Sequence, residues 1–244
     1  MIIPTSFFSS IIVTPTEFDA NSIVGLEIWL KGNTSVFSDA GTTLAVNSDP
    51  AYQWNDQSEN GNHLVQSTLG NRPIFKTSIL NGKPVIRFDA TDDYMDRTYS
   101  SALSQPSTIF VVVNITTDNQ GSIFDGVGCA SRNIFGPNTV FFGETSIYAG
   151  NVNSPGYAQT FPSGFIVFSL VFNNASSEIF KNGISQIIGD VGSEAADSIR
   201  VGANCVPNTF SGSDIAEIIV YNSLLTANER LQVETYLNAK YAIY

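Results

Sequence analysis

Phe165-Ile166-Val167-Phe168-Ser169-Leu170-Val171-Phe172 is apolar at every position except Ser169 and rich in β-branched and aromatic residues. A strand with one wet face would alternate polar and apolar side chains, so this run predicts a central strand covered on both sides. Beyond it, Glu178–Lys181 and Ile184–Ile188 flank Asn182-Gly183. That dipeptide tolerates the positive φ angles of a type I′ turn and predicts a tight hairpin.

Working outward, further short strands recur with turn formers between them: Val85–Phe88 after Asn81-Gly82, Thr108–Ile115, Ser122–Phe124, Val140–Phe142, Ser146–Tyr148 and Asp214–Tyr221. Such spacing is that of a β-sandwich. Leu26-Glu27-Ile28-Trp29-Leu30-Lys31 alternates, which places Leu26, Ile28 and Leu30 on one face and Glu27, Trp29 and Lys31 on the other. Thr226-Ala227-Asn228-Glu229 fits a capping box, and Val233, Tyr236, Leu237 and Tyr241 then form one apolar helical stripe. The expected fold is all-β: two antiparallel sheets packed as a sandwich, with one C-terminal α-helix docked on it. No repeat or linker divides residues 21–244, which read as one domain, and residues 1–20 read as an apolar N-terminal arm that needs a surface to lie on.

Three stretches carry a family resemblance: Gly25-Leu26-Glu27-Ile28-Trp29-Leu30, then Trp54-Asn55-Asp56-Gln57-Ser58-Glu59-Asn60-Gly61-Asn62-His63, then Asn81–Tyr94 with its Asp89-Ala90-Thr91-Asp92-Asp93 ending. Together with Ile215–Tyr221 and the final helix, they resemble the laminin-G-like, concanavalin A-like jelly-roll family. The resemblance implies a jelly-roll sandwich over about residues 23–243. It leaves activity open, because that family mixes lectins, adhesion modules, glycanase accessory domains and phage structural proteins. The short form with an apolar arm is similar to versions in phage virion proteins. It implies a non-enzymatic virion structural or adhesion module, whether capsid decoration, fibre or tail component, on the virion surface or, alternatively, a cell surface. The arm would meet other virion proteins or identical subunits.

Charge narrows the partners. Twenty-two acidic against eleven basic residues give a net charge of −11. A phosphate backbone would be repelled rather than neutralised, so nucleic acid is not an expected partner. The N-terminus lacks a basic residue before its apolar stretch, and Pro4 with several serines interrupts that stretch, so it does not read as a signal peptide. No window approaches the roughly 20 apolar residues of a membrane-spanning helix, so membrane insertion is not expected. Cys129 and Cys205 can pair or stay free, as compartment dictates.

For function the sequence offers acids, aromatics and one histidine. Asp89, Asp92, Asp93 and Asp96 place four carboxylates within eight residues, a density that suits a hard cation such as Ca2+, although Asp also stabilises turns. Asp56 and Asn60 could join a cation or a sugar at the sandwich rim, or simply fix a tight corner on a buried Trp54. Tyr99, Phe142, Tyr148 and Tyr157 lie in or near loop-like regions and could stack on sugar rings of a cell-surface glycan. No catalytic residue is assigned. His63 is the only histidine, and Asp214 and Glu217, the best acid pair, sit three apart, which on a regular strand puts them on opposite faces. A Ca2+-dependent lectin is the rival reading, and a glycoside hydrolase a weaker one.

Overall fold

The computed structural model describes residues 18–117, 121–137, 144–151, 156–160 and 162–244. The arm up to residue 17 and the strand expected at 140–142, with Phe142, lie outside the described residues. Two antiparallel sheets face each other. The first runs, in spatial order, Ile184–Gly189, Ser177–Lys181, Phe165–Phe172, Ser107–Ile115, Gly212–Tyr221, Lys83–Asp89 and Ile74–Leu80, and Leu26–Lys31 also pairs with Gly212–Tyr221. The second runs Gly156–Ala158, Glu144–Tyr148, Ile134–Pro137, Phe124–Asp125, Ala196–Val201, Met95–Leu103, Leu64–Val65, Gln53–Trp54 and Val36–Phe37.

The main core lies between the sheets. Ile28, Leu30, Val111, Val113, Phe168 and Leu170 of the first meet Trp54, Met95, Phe124, Phe135, Ile199 and Val201 of the second. The first sheet is also covered on its outer face, where Trp29, Phe110, Val112, Val167, Ile219 and Tyr221 pack beneath the helix Ala227–Tyr241 through Val233, Leu237 and Tyr241. That double burial explains the unbroken apolar run at Phe165–Phe172. Its exception, Ser169, is fully buried and donates to Glu234 Oε1 of the helix at 2.7 Å.

Local chemistry sets the ends of these elements. Asn182 and Gly183 have φ angles of 51° and 76°, the left-handed conformation that the type I′ hairpin requires. Thr226 Oγ1 accepts from the Glu229 amide at 3.3 Å, and Glu229 Oε2 accepts from the Thr226 amide at 2.8 Å, so the capping box closes. Phe18 stacks on Tyr236 with ring centroids 4.5 Å apart, and Ala20 is fully buried with its carbonyl accepting from the Tyr221 hydroxyl at 3.2 Å.

Two β-bulges correct the simple alternation. A register shift between Leu26 and Ile28 turns Leu26 to the helix side, away from Ile28 and Leu30. A second falls at Ala216: Ile215 pairs with Val113 but Glu217 with Val112. The extra residue resets the face, so Asp214 and Glu217 both point to the outer, helix-bearing side rather than to opposite faces. Gly32 fits against the bulge, its amide donating to the Ala216 carbonyl at 2.8 Å.

Candidate functional site

Although the bulge brings Asp214 and Glu217 to one face, each is already occupied. Arg87 grips Asp214 with two parallel hydrogen bonds, Nε to Oδ1 at 2.6 Å and Nη2 to Oδ2 at 2.8 Å. Glu217, with no side-chain exposure, accepts from Trp29 Nε1 at 2.6 Å, Tyr236 Oη at 2.9 Å, Lys240 Nζ at 2.6 Å and Tyr241 Oη at 2.7 Å. Burial and the Glu217 charge both push the Tyr241 hydroxyl up, so it stays a donor. A general acid or nucleophile needs an accessible oxygen, and neither residue offers one.

The loop after Trp54 is likewise scaffold. Asp56 Oδ1 accepts from the amides of Trp29 (2.8 Å) and Ser58 (2.9 Å), and Oδ2 from Ser58 Oγ (2.6 Å) and the Asn62 amide (2.9 Å). Asn60 Nδ2 donates to the carbonyls of Leu26 and Glu27, and His63 Nδ1 accepts from the Asp56 amide. Asp56 and Asn60 therefore pin this loop to Leu26–Lys31. Both oxygens of Asp56 are spent on that task, whereas Asn60 spends its side-chain nitrogen, so these bonds speak against a cation at Asp56 only.

At the end of Lys83–Asp89 the acidic cluster does assemble. Asp89, Asp92 and Asp93 bring one carboxylate oxygen each within 4.8 Å of one another, the first two exposed and the third buried. Asp96 is not a member, because Arg200 holds both its oxygens at 2.7 and 2.8 Å. Burial first, then the charges of Asp89 and Asp92, raises Asp93 to about 7. Three carboxylates so placed can share a proton or hold a cation. Since the unfolded chain loses this proton near pH 4, stability should fall as pH rises from about 4 to about 7 and then level off. Asp93→Asn is expected to remove that slope and to raise stability at pH 8 by on the order of 1–3 kcal/mol. Urea unfolding at several pH values checks it. A variant less stable than the parent at pH 8 would contradict it.

The aromatic residues do not form one platform. Tyr99 faces the main core, where burial, followed by the charges of Glu27 and Asp56, raises its hydroxyl far above the ordinary value. Tyr157 packs on the same core. Tyr148, paired with Ile134, lies on the outer face of the second sheet, whereas its neighbour Ile147 is buried inside. An interior cavity of about 10 Å3, lined by Tyr99, Leu103, Ser107, Phe124, Asn133 and Ser198, holds about one water molecule and no sugar ring.

That outer face carries groups with no sequence motif. Cys129 and Cys205 form a disulfide. Beside it Asp125, nearly fully buried, accepts from the Gly126 amide at 2.7 Å, the Cys205 amide at 2.8 Å and Arg132 Nη1 at 3.3 Å. Arg200 adds a hydrogen bond to the Cys205 carbonyl at 2.7 Å and lies 4.8 Å from the Tyr94 ring, as Arg132 lies 5.3 Å from that of Tyr148. Arg132 and Arg200 went unnoticed in the sequence because neither sits in a motif. Only strand pairing brings Arg200 beside Asp125 and Asp96.

No protein-family model matches the sequence, and no curated protein matches it. Solved structures do. Trypanosoma rangeli sialidase in complex with sialic acid superposes with a TM-score of 0.58 at 12% identity, over 89% of this chain and 33% of that one. The Botulinum neurotoxin serotype D ligand binding domain in complex with N-acetylneuraminic acid gives 0.57 at 11%, over 86% and 50%. The likeness is one of fold, a two-sheet jelly-roll sandwich. The Botulinum neurotoxin DC binding domain in complex with rat synaptotagmin II gives 0.59 at 13%, over 90% and 52%. This jelly roll thus spans a third to about half the length of these chains, and none of the three is a phage protein.

Proposed function

We propose that this jelly roll is a non-catalytic module that binds glycans on its outer surface. The observation that carries the reading is the commitment of Asp214 and Glu217 to Arg87 and Lys240, which leaves the best acid pair nothing with which to attack a glycosidic bond. Two of the similar structures were solved with sialic acid, which supports a sugar as ligand. A glycan array with the intact chain, paired with a screen for new reducing ends, is expected to show binding without cleavage. Cleavage lost on Asp214→Asn would sink the proposal.

The setting we propose is a virion or cell exterior, where a disulfide persists, with the N-terminal arm joining the module to other virion proteins or to identical subunits. Phe18 and Ala20 pack on the domain, so truncation should stop before them. Removing residues 1–17 is expected to preserve the melting temperature and abolish assembly. Normal incorporation of the truncated chain would refute the arm's role.

A further inference from the structure

We propose that Arg132 and Tyr148 form a subsite for the carboxylate of an acidic sugar, a refinement that rests on the glycan-binding reading. Two arginines have their forks filled, Arg200 on Asp96 and Arg87 on Asp214, each through two bonds of 2.8 Å or less, while Arg230 reaches Glu234 through one bond of 2.6 Å and Arg97 reaches Asn62 through one of 3.2 Å. Arg132 differs. Its Nη1 donates to Cys205 Sγ at 2.5 Å and to Asp125 Oδ2 at 3.3 Å, an oxygen that the Cys205 amide already occupies at 2.8 Å. Its Nε is buried yet has no acceptor. A buried donor without a partner is costly, so an arriving acceptor gains what the folded chain forgoes. About a fifth of the side chain, 21%, remains at the surface.

The surroundings select a carboxylate on a ring. A guanidinium that keeps about a fifth of its side chain, 21%, at the surface favours a planar anion through charge-assisted hydrogen bonds. Next to it, the half-buried Tyr148 ring lies 5.3 Å from the Arg132 carbon and offers a π face to sugar C–H groups. The site is also held in place. A Cβ at Gly126 would lie 2.8 Å from Arg132 Cβ, so glycine leaves the room that Arg132 fills. The disulfide ties the loop before Arg132 to Cys205, whose amide orients Asp125. Such restraint lowers the ordering cost of binding.

The test titrates the intact chain with the α-methyl glycoside of N-acetylneuraminic acid, with its neutral methyl ester and with neutral oligosaccharides, followed by NMR. The free acid is expected to bind at least about tenfold more tightly than the ester, the difference expected of a charge-assisted bond. Arg132→Ala should abolish that preference, and Tyr148→Ala should weaken acid and ester alike, with the melting temperature held as control. Arg132→Lys keeps a charge but lacks Nε, and should restore little. Gly126→Ala, which displaces Arg132 without removing it, should weaken the acid selectively. Equal binding of acid and ester, or acid binding untouched by Arg132→Lys and Arg132→Ala, would overturn the subsite. Binding of neutral oligosaccharides alone would also overturn it while leaving the module reading intact. Binding of no glycan at all would remove both.

Discussion

Glu217→Ala is expected to lower the unfolding free energy by about 3–5 kcal/mol, because it strands a buried cation and three further donors at once. Trp29, Tyr236, Lys240 and Tyr241 come from the first strand and the helix, and all converge on this one carboxylate beneath the helix. With the carboxylate gone, Lys240, only 13% exposed, loses its counter-charge. For a domain of this size the melting temperature should drop by roughly 6–20 °C. Combining Glu217→Gln with Lys240→Met should recover part of the loss, since a removed pair costs less than a broken one. A Glu217→Ala protein that melts within about 2 °C of the parent would show that the network contributes little.

Cys205→Ser should cost about 2–4 kcal/mol through the freedom it returns to the unfolded chain. The bridge closes a 76-residue separation, long enough for a large loop-closure effect. Cys129→Ser should cost the same, and the double variant no more than either, because all three delete one covalent link. Guanidinium unfolding separates these outcomes. Losses that add would assign the effect to packing of the individual sulfurs instead. The single variants should also weaken acidic-sugar binding, since the bridge borders Arg132 and the Cys205 amide orients Asp125.

Much of the fold could be read from local chemistry. The all-apolar Phe165–Phe172, the Asn182-Gly183 hairpin and the Thr226 capping box each depend on neighbours in the chain, and each stands in the structure where expected. The failures share a cause. Leu26 and the Asp214/Glu217 pair were assigned faces by counting residues in twos, and each count crosses a bulge. A bulge is set by the partner strand rather than by the bulged segment alone. Here, Gly212–Tyr221 changes neighbours at Ala216, leaving Lys83–Asp89 for Leu26–Lys31.

The site shows the same division more sharply. Asp89, Asp92 and Asp93 lie within one turn of the chain, so their meeting was visible in the sequence. Tyr99 and Tyr157 looked loop-like yet face the core, because exposure depends on which sheet lies opposite. Arg132, Arg200 and the disulfide gather on one face only after strands distant in sequence have paired. By itself, the sequence determined the class of fold, its turns and helix start, and the acidic balance, since these follow from backbone preference and composition. Tertiary structure alone decided which carboxylates are neutralised and which arginine keeps a donor unmet. A charged group's role depends on what long-range pairing places within about 3 Å of it, and local sequence does not carry that distance.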